Sequence, residues 1–205
     1  DVDKFHPDNT LKNTENDRII GIFARYNPQK NYENFVNAVN LVVDKGYDGF
    51  KFIWHGSKIN TDGSVNIHFD RFQRLIEAHN LQKYIELQDP TSAVFEAINY
   101  CDAICLPSLY EGFSNSIAEA ISCGKIVLAS NVSDNSIMVN DHYNGFTFNP
   151  NSVEEIADAI IQYLSLSDSE QNNFGLNSRK HSLGLFNLRS FTDSYVKLIE
   201  TTSIK

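Results

Sequence analysis

Pro107-Ser-Leu-Tyr-Glu-Gly-Phe-Ser-Asn-Ser-Ile-Ala-Glu-Ala-Ile-Ser-Cys-Gly124 divides into a turn and a helix. The run before it, Cys101-Asp-Ala-Ile-Cys-Leu106, is short and mostly apolar, which suits a strand buried on both faces. After Asn115 the apolar residues take helical spacing, with Ile117, Ala120 and Ile121 on one face and Gly124 as the stop. A strand, a glycine-containing turn and a helix aim backbone N–H groups and a positive dipole end into the turn. An anion, a phosphate above all, is the natural occupant. Glu111 and Glu119 bracket that turn. An ionised carboxylate only accepts hydrogen bonds, so it binds hydroxyls and repels bare phosphate. A nucleoside diphosphate sugar carries both kinds of group. A purely structural alternative stands beside this reading: Ser116 and Glu119 fit a Ser-x-x-Glu capping box, and Glu111-Gly112 fits an ordinary solvated turn.

The chain has 205 residues, 41% of them hydrophobic, which is enough for one sizeable core and long for two. Its net charge of −9, from 26 acids and 17 bases, makes it a poor generic binder of nucleic acid. A bound diphosphate must then rely on a few local cations. Cys101, Cys105 and Cys123 lack paired metal-ligand spacing, and the six histidines form no His-x-x-x-His, which argues against a zinc site or a disulfide framework. The cysteines are expected as small buried residues in a reducing compartment. No apolar run reaches bilayer length, and residues 1–16 lack an apolar signal core, so the expected setting is cytoplasmic.

In order, residues 1–17 are polar and aperiodic and read as a linker or edge segment. Arg18 leads into a buried strand over residues 19–24. Residues 25–30 form a turn, and Asn31 is placed to cap a helix whose apolar face carries Phe35, Val36, Val39 and Val43 and which ends at Gly46. Arg25 and Lys30 thus fall between the carboxyl end of a strand and the start of a helix, the edge where open parallel sheets bind ligands. A guanidinium fork and an ammonium both suit phosphate oxygens. Strands follow at 50–55, 84–87, 125–129 and 145–148. Helices are expected at 67–80, with Phe69, Phe72, Leu75 and Ile76 inward, and at 92–100, with a short one near 137–139. Three more are expected: from Ser152 through Leu164 with Glu155 completing a capping box, over 168–180, and over 187–199 with Phe191, Tyr195 and Leu198 on one side. Strands alternating with helices mark a single α/β domain, doubly wound, with a parallel sheet covered by helices on both faces. It would span residues 18–205.

These motifs resemble the nucleotide-sugar-binding domain of retaining glycosyltransferases with the GT-B fold, the group called family 4 or glycosyl transferases group 1. Glu111 and Glu119 are similar to that group's Glu-x7-Glu element, with Gly112-Phe113 after the first Glu. Arg25 and Lys30 look like its Arg-x4-Lys diphosphate grip. Val2-Asp-Lys-Phe-His-Pro7 looks like the Val-Asp-x-x-Phe-x-Pro segment between the family's two halves. The resemblance runs from residue 2 to about residue 200 and implies a Rossmann-like half of a larger enzyme. The sequence departs from the family in having Ala24 where Gly often precedes the Arg, Ser114-Asn115 where Gly is common, and Ser133-Asp134 and Ile137 where Gly-Gly and a Glu are frequent.

The resemblance implies transfer of a sugar from a UDP or GDP donor, in polysaccharide biosynthesis, without a metal or other cofactor. Arg25, Lys30 and the backbone N–H groups of Phe113, Ser114 and Asn115 would hold the diphosphate. Glu111, with Gly112, would meet the donor sugar as the catalytic-site acid, and Glu119 the ribose. The partner half, absent here, would be an N-terminal acceptor-binding domain, and any peripheral membrane contact would come through it. This half alone would bind donor and transfer nothing. Rival readings are a nucleotide-sugar binding module and a sugar-nucleotide epimerase on the same fold. A dinucleotide oxidoreductase is disfavoured by the lack of Gly-x-Gly-x-x-Gly after the first strand.

Overall fold

The computed structural model describes residues 1–14, 16–186 and 188–202. Six parallel strands make one sheet: β1 (Arg18–Phe23), β2 (Phe50–His55), β3 (Ile85–Gln88), β4 (Ala103–Leu106), β5 (Ile126–Ser130) and β6 (Gly145–Phe148). Their order is β3-β2-β1-β4-β5-β6, so the winding reverses between β1 and β4. The helices are α1 (Tyr32–Asp44), α2 (Ile67–Ala78), α3 (Val94–Tyr100), α4 (Asn115–Ser122), α5 (Asn135–Met138), α6 (Val153–Leu164), α7 (Asp168–Leu185) and α8 (Leu188–Thr202). This is the doubly wound α/β class that the alternation of elements predicts.

Successive strand residues turn to opposite faces, as a period of two requires. Ile20, Ile22, Ala103, Cys105, Ile126 and Leu128 face the layer that holds the apolar sides of α1, α2 and α6. Ile19, Ile104, Leu106, Val127 and Ala129 face the layer of α3 and α4. The first layer carries the large aromatics: Phe35, Phe52, Trp54 and Phe72 are fully buried, and Phe72 meets Trp54 edge-on at 4.9 Å. Each such burial contributes about 1.5–3 kcal/mol. The second layer is built from smaller side chains, and all three cysteines are buried and free. Burial pushes the thiols up, Cys101 to about 12 and Cys123 to about 11, so they stay protonated and inert.

Several local expectations need correction. Ser152 Oγ accepts the Glu155 N–H at 3.1 Å, but the Glu155 carboxylate accepts the Asn149 N–H instead of reaching back to Ser152. Only half of that capping box forms. The complete one is Ser167 with Glu170, at the start of α7. Helix α7 runs on to Leu185, past the expected stop at Lys180, and carries Leu176 and Leu183, seven residues apart, on one exposed face. In α2 the expected inward face holds: Phe72 and Ile76 are buried, and the partly buried Phe69 and Leu75 pack against the same core. In α8, Tyr195 and Leu198 are exposed, and Phe191 lies outside the residues whose side chains are described. Residues 1–11 lie against the domain. Arg179 Nη1 donates to the carbonyl oxygens of Val2, Phe5 and Ser122, and Asn99 accepts from the Asp8 N–H and donates to the His6 carbonyl.

Gly145 opens β6 opposite Val127. A Cβ there would lie 2.0 Å from the Val127 carbonyl oxygen and 2.7 Å from Val139 Cγ1. Neither atom can move without shifting a strand or a buried branched side chain. Gly145→Ala is therefore expected to lower the unfolding free energy by about 3 kcal/mol. The check is a lower urea midpoint at unchanged slope.

Candidate functional site

Strands β1 and β4 pair at only two positions, Ile20 with Ala103 and Gly21 with Ile104, whereas β1 and β2 pair from Arg18–Phe50 to Phe23–His55. Past Gly21 and Ile104 the ladder between β1 and β4 stops. The loops that follow these two strands, residues 24–31 and 107–114, meet at the reversal of strand order, where doubly wound sheets bind ligands.

Other bonds join these loops in place of the ladder. The Leu109 N–H donates to the Gln29 carbonyl at 2.8 Å, and Gln29 Nε2 donates to the Tyr110 carbonyl at 2.8 Å. Pro28–Lys30 forms one turn of 3-10 helix, opened by Asn27, whose side chain accepts the Lys30 N–H. That turn sends Lys30 Nζ into an ion pair with Glu111 Oε1, with the two side chains only 13% and 9% exposed. From the loop after β5, Ser133 Oγ donates to the Glu111 carbonyl at 2.5 Å. Ser133 takes a φ of 49°, a conformation that glycine adopts without strain.

Asn31 was expected to cap α1. Its side chain makes no cap bond; its φ is 59°, and Nδ2 donates to the Pro107 carbonyl at 3.0 Å and the Pro150 carbonyl at 2.7 Å. Buried carbonyls need donors, and an asparagine amide has two in a residue that tolerates left-handed backbone. Asn31 thus ties the loops after β1, β4 and β6 together. Behind the loop after β1, Trp54 Nε1 donates to the Ala24 carbonyl at 2.8 Å, and the Tyr26 hydroxyl lies 2.9 Å from the carbonyls of Trp54 and Gln88. A Cβ on Gly56 would stand 2.6 Å from the Ala24 oxygen, so only glycine fits there.

Ser114, not Ser116, caps α4: its Oγ accepts the Ile117 N–H at 3.4 Å. The Ser116–Glu119 capping box is not formed. Glu119 lies on the second turn, partly buried, and no described residue donates to its carboxylate. Burial pushes that carboxyl above its usual range, and Lys4 pulls the other way. The backbone N–H groups of Phe113, Ser114 and Asn115 donate to no other described residue. Gly112 and Phe113 are exposed, Phe113 with its ring 6.1 Å from that of Phe186. Arg25 is exposed just beyond β1 and bonds to no described residue.

Of the residues singled out from the sequence, the structure joins Lys30 to Glu111 directly. It sets Arg25, Gly112, Phe113, Ser114 and Asn115 on the same sheet edge, in the loops after β1 and β4. A cavity of about 420 Å³ at this edge is lined by Leu109, Asn131, Thr147, Asn149 and Glu155 among others, and none of those candidate residues lines it. Ser108 Oγ, Ser130 Oγ and Asn135 Oδ1, near the carboxyl ends of β4 and β5, are buried without a partner, as groups that hold ordered water are. Among the described residues, no group of three or more His, Cys, Asp or Glu is placed to hold a metal ion, and no helix is long and apolar enough to cross a membrane.

A parallel sheet wound in both directions, with its polar loops gathered where the order reverses, defines a doubly wound α/β domain of the Rossmann-like kind. The family described as glycosyl transferases group 1 matches residues 3–181, and the chain belongs to that family. It is 24% identical over 194 residues to poly(ribitol-phosphate) alpha-N-acetylglucosaminyltransferase of Staphylococcus aureus (strain COL), a match covering 94% of this chain and 37% of that protein. Sucrose-phosphate synthase from Thermosynechococcus elongatus shares the fold with a TM-score of 0.83 at 21% identity, over 98% of this chain and 50% of that one. The Anabaena protein HepE, crystallised with UDP and glucose, gives 0.80 at 18% identity, over 98% and 55%. The chain therefore spans only about a third to a half of the length of these proteins.

Asn31→Asp keeps the shape of the side chain and replaces its donor with an acceptor against two carbonyl oxygens. It is expected to destabilise the fold by about 3 kcal/mol, the range for breaking buried hydrogen bonds at a charged group. Calorimetric or denaturant unfolding checks this, with Asn31→Ala expected to cost less than Asn31→Asp.

Proposed function

We propose that this chain is the donor-binding half of a retaining glycosyltransferase that moves a sugar from a nucleoside diphosphate sugar to an acceptor hydroxyl. The observation that carries this reading is the nearly buried Lys30–Glu111 pair at the reversal of strand order, beside the open N–H groups that begin α4. One partner suits a phosphate and the other suits hydroxyls. Family membership supports the activity, and the alpha-linking transferase among its relatives supports retention of configuration. The UDP complex of HepE favours UDP over GDP as the nucleotide.

In this mechanism the sugar ring gains positive charge in the transition state, and the leaving diphosphate gains negative charge. Arg25, Lys30 and the N–H groups of Phe113, Ser114 and Asn115 stabilise the leaving group, in place before the bond breaks. Glu111 accepts hydrogen bonds from the sugar and Glu119 from the ribose. These groups act without a metal ion. The acceptor and any base come from a further domain, joined through residues 1–17. The reaction runs in the cytoplasm and feeds polysaccharide assembly.

Lys30→Ala is expected to weaken binding of UDP by about 1–3 kcal/mol, measured by titration calorimetry. Unchanged affinity would refute the phosphate role. Glu119→Gln is expected to abolish the part of the affinity that depends on ribose hydroxyls, read by comparing UDP with its 2′,3′-dideoxy analogue. Its stability should not fall. Burial raises the carboxyl pKa in the folded state, so the stability linked to this group is present at low pH and lost as pH rises through the folded value. At neutral pH an uncharged glutamine removes that penalty, and the melting temperature is expected to be equal or higher.

A further inference from the structure

We propose that the Lys30–Glu111 ion pair discriminates between the intact nucleoside diphosphate sugar and the nucleoside diphosphate that remains after transfer. This inference rests on the donor-site reading of the same edge and adds a specificity role that neither residue has alone. Both members are nearly buried, at 13% and 9% side-chain exposure. The other ion pairs among the described residues are far more open, Lys51–Glu86 for instance at 33% and 43%.

Both members are also anchored. Lys30 stands on the 3-10 turn that Asn27 closes. The backbone of Glu111 is held by Ser133, and the preceding carbonyl, that of Tyr110, by Gln29. The backbone that carries the carboxylate is therefore held in place if a phosphate draws the ammonium away.

A diphosphate that takes Lys30 leaves Glu111 nearly buried, charged and unpaired, facing more negative charge. Removing one partner from such a pair is strongly unfavourable. A bound sugar replaces the lost partner, because its hydroxyls donate to the carboxylate. The cost of opening the pair therefore falls on the sugarless product and is offset for the donor. Glu111 repels the wrong ligand as much as it holds the right one, which is how unpaired charge creates specificity. After transfer the carboxylate reclaims Lys30 and helps release the nucleoside diphosphate.

The test is a titration of UDP against the wild-type protein, Glu111→Gln and Glu111→Ala, with circular dichroism melts to confirm that each is folded. Both variants free Lys30 and remove the repelling charge, so UDP is expected to bind about tenfold tighter to each than to the wild type. In the Glu111→Gln background, Lys30→Met must erase that gain, since the gain comes through the freed ammonium. UDP binding that is unchanged or weaker in the folded Glu111 variants overturns the proposal. If neither the wild type nor any variant binds UDP or UDP-glucose, the donor-site reading itself has failed, and the proposal with it.

Discussion

Two rungs of ladder join β1 to β4, and the carboxyl edge of the sheet takes its character from how few they are. When a ladder stops early, the backbone groups beyond it still need partners. Here those partners are side chains and loop backbone. Gln29 serves the Tyr110 carbonyl, Asn31 serves Pro107 and Pro150, and Trp54 serves Ala24. The loops that would be the most mobile parts of an α/β domain are thus fixed by specific bonds to the core. A site built on them is preorganised, as binding or stabilising a developing charge demands.

The helix that begins at this edge is oriented from its other end. At the carboxyl end of α4, Arg179 donates to the Ser122 carbonyl and also to Val2 and Phe5. A cation there complements the negative end of the dipole. Gly124 follows with a φ of 68°, and a Cβ on Gly175 would lie 2.7 Å from its carbonyl oxygen, so α7 can approach closely. One arginine therefore fixes α4, α7 and residues 2–5 together, while the opposite end of α4 keeps its N–H groups open. The small side chains of this layer let α4 sit close to the sheet and aim those groups at the crevice.

The sequence carried the strands and helices plainly, because the change from an apolar run ending at Leu106 to helical spacing after Asn115 is a local signal. It also carried Lys30 and Glu111 as functional candidates, through their positions after strands. Their direct pairing was not readable, since 81 residues separate them. Asn31 shows the same limit more sharply. Locally it reads as a cap, but its side chain answers carbonyls 76 and 119 residues away. With Ser114 and Ser116 both present, spacing to Glu119 favoured the second. Burial decided for the first, which is only 4% exposed. Ser152 and Glu155 have the capping-box spacing, yet the nearby Asn149 N–H competes for the same carboxylate. Of these, only Asn31 is decided by partners that the fold brings from far along the chain.

The chain's overall acidity gives these bonds their meaning. A protein of net charge −9 repels an anionic ligand at a distance, so long-range steering works against binding. What remains is short-range: N–H groups fixed by a capped helix, one exposed guanidinium, and an ammonium held by an acid until something better arrives. Within a Debye length, about 8 Å at physiological salt, such fixed dipoles and paired charges outweigh the distant field. An edge with unpaired cations would bind any polyanion. Pairing Lys30 with Glu111 makes the attraction conditional on a ligand that can satisfy both, and that condition separates a specific site from a merely basic patch.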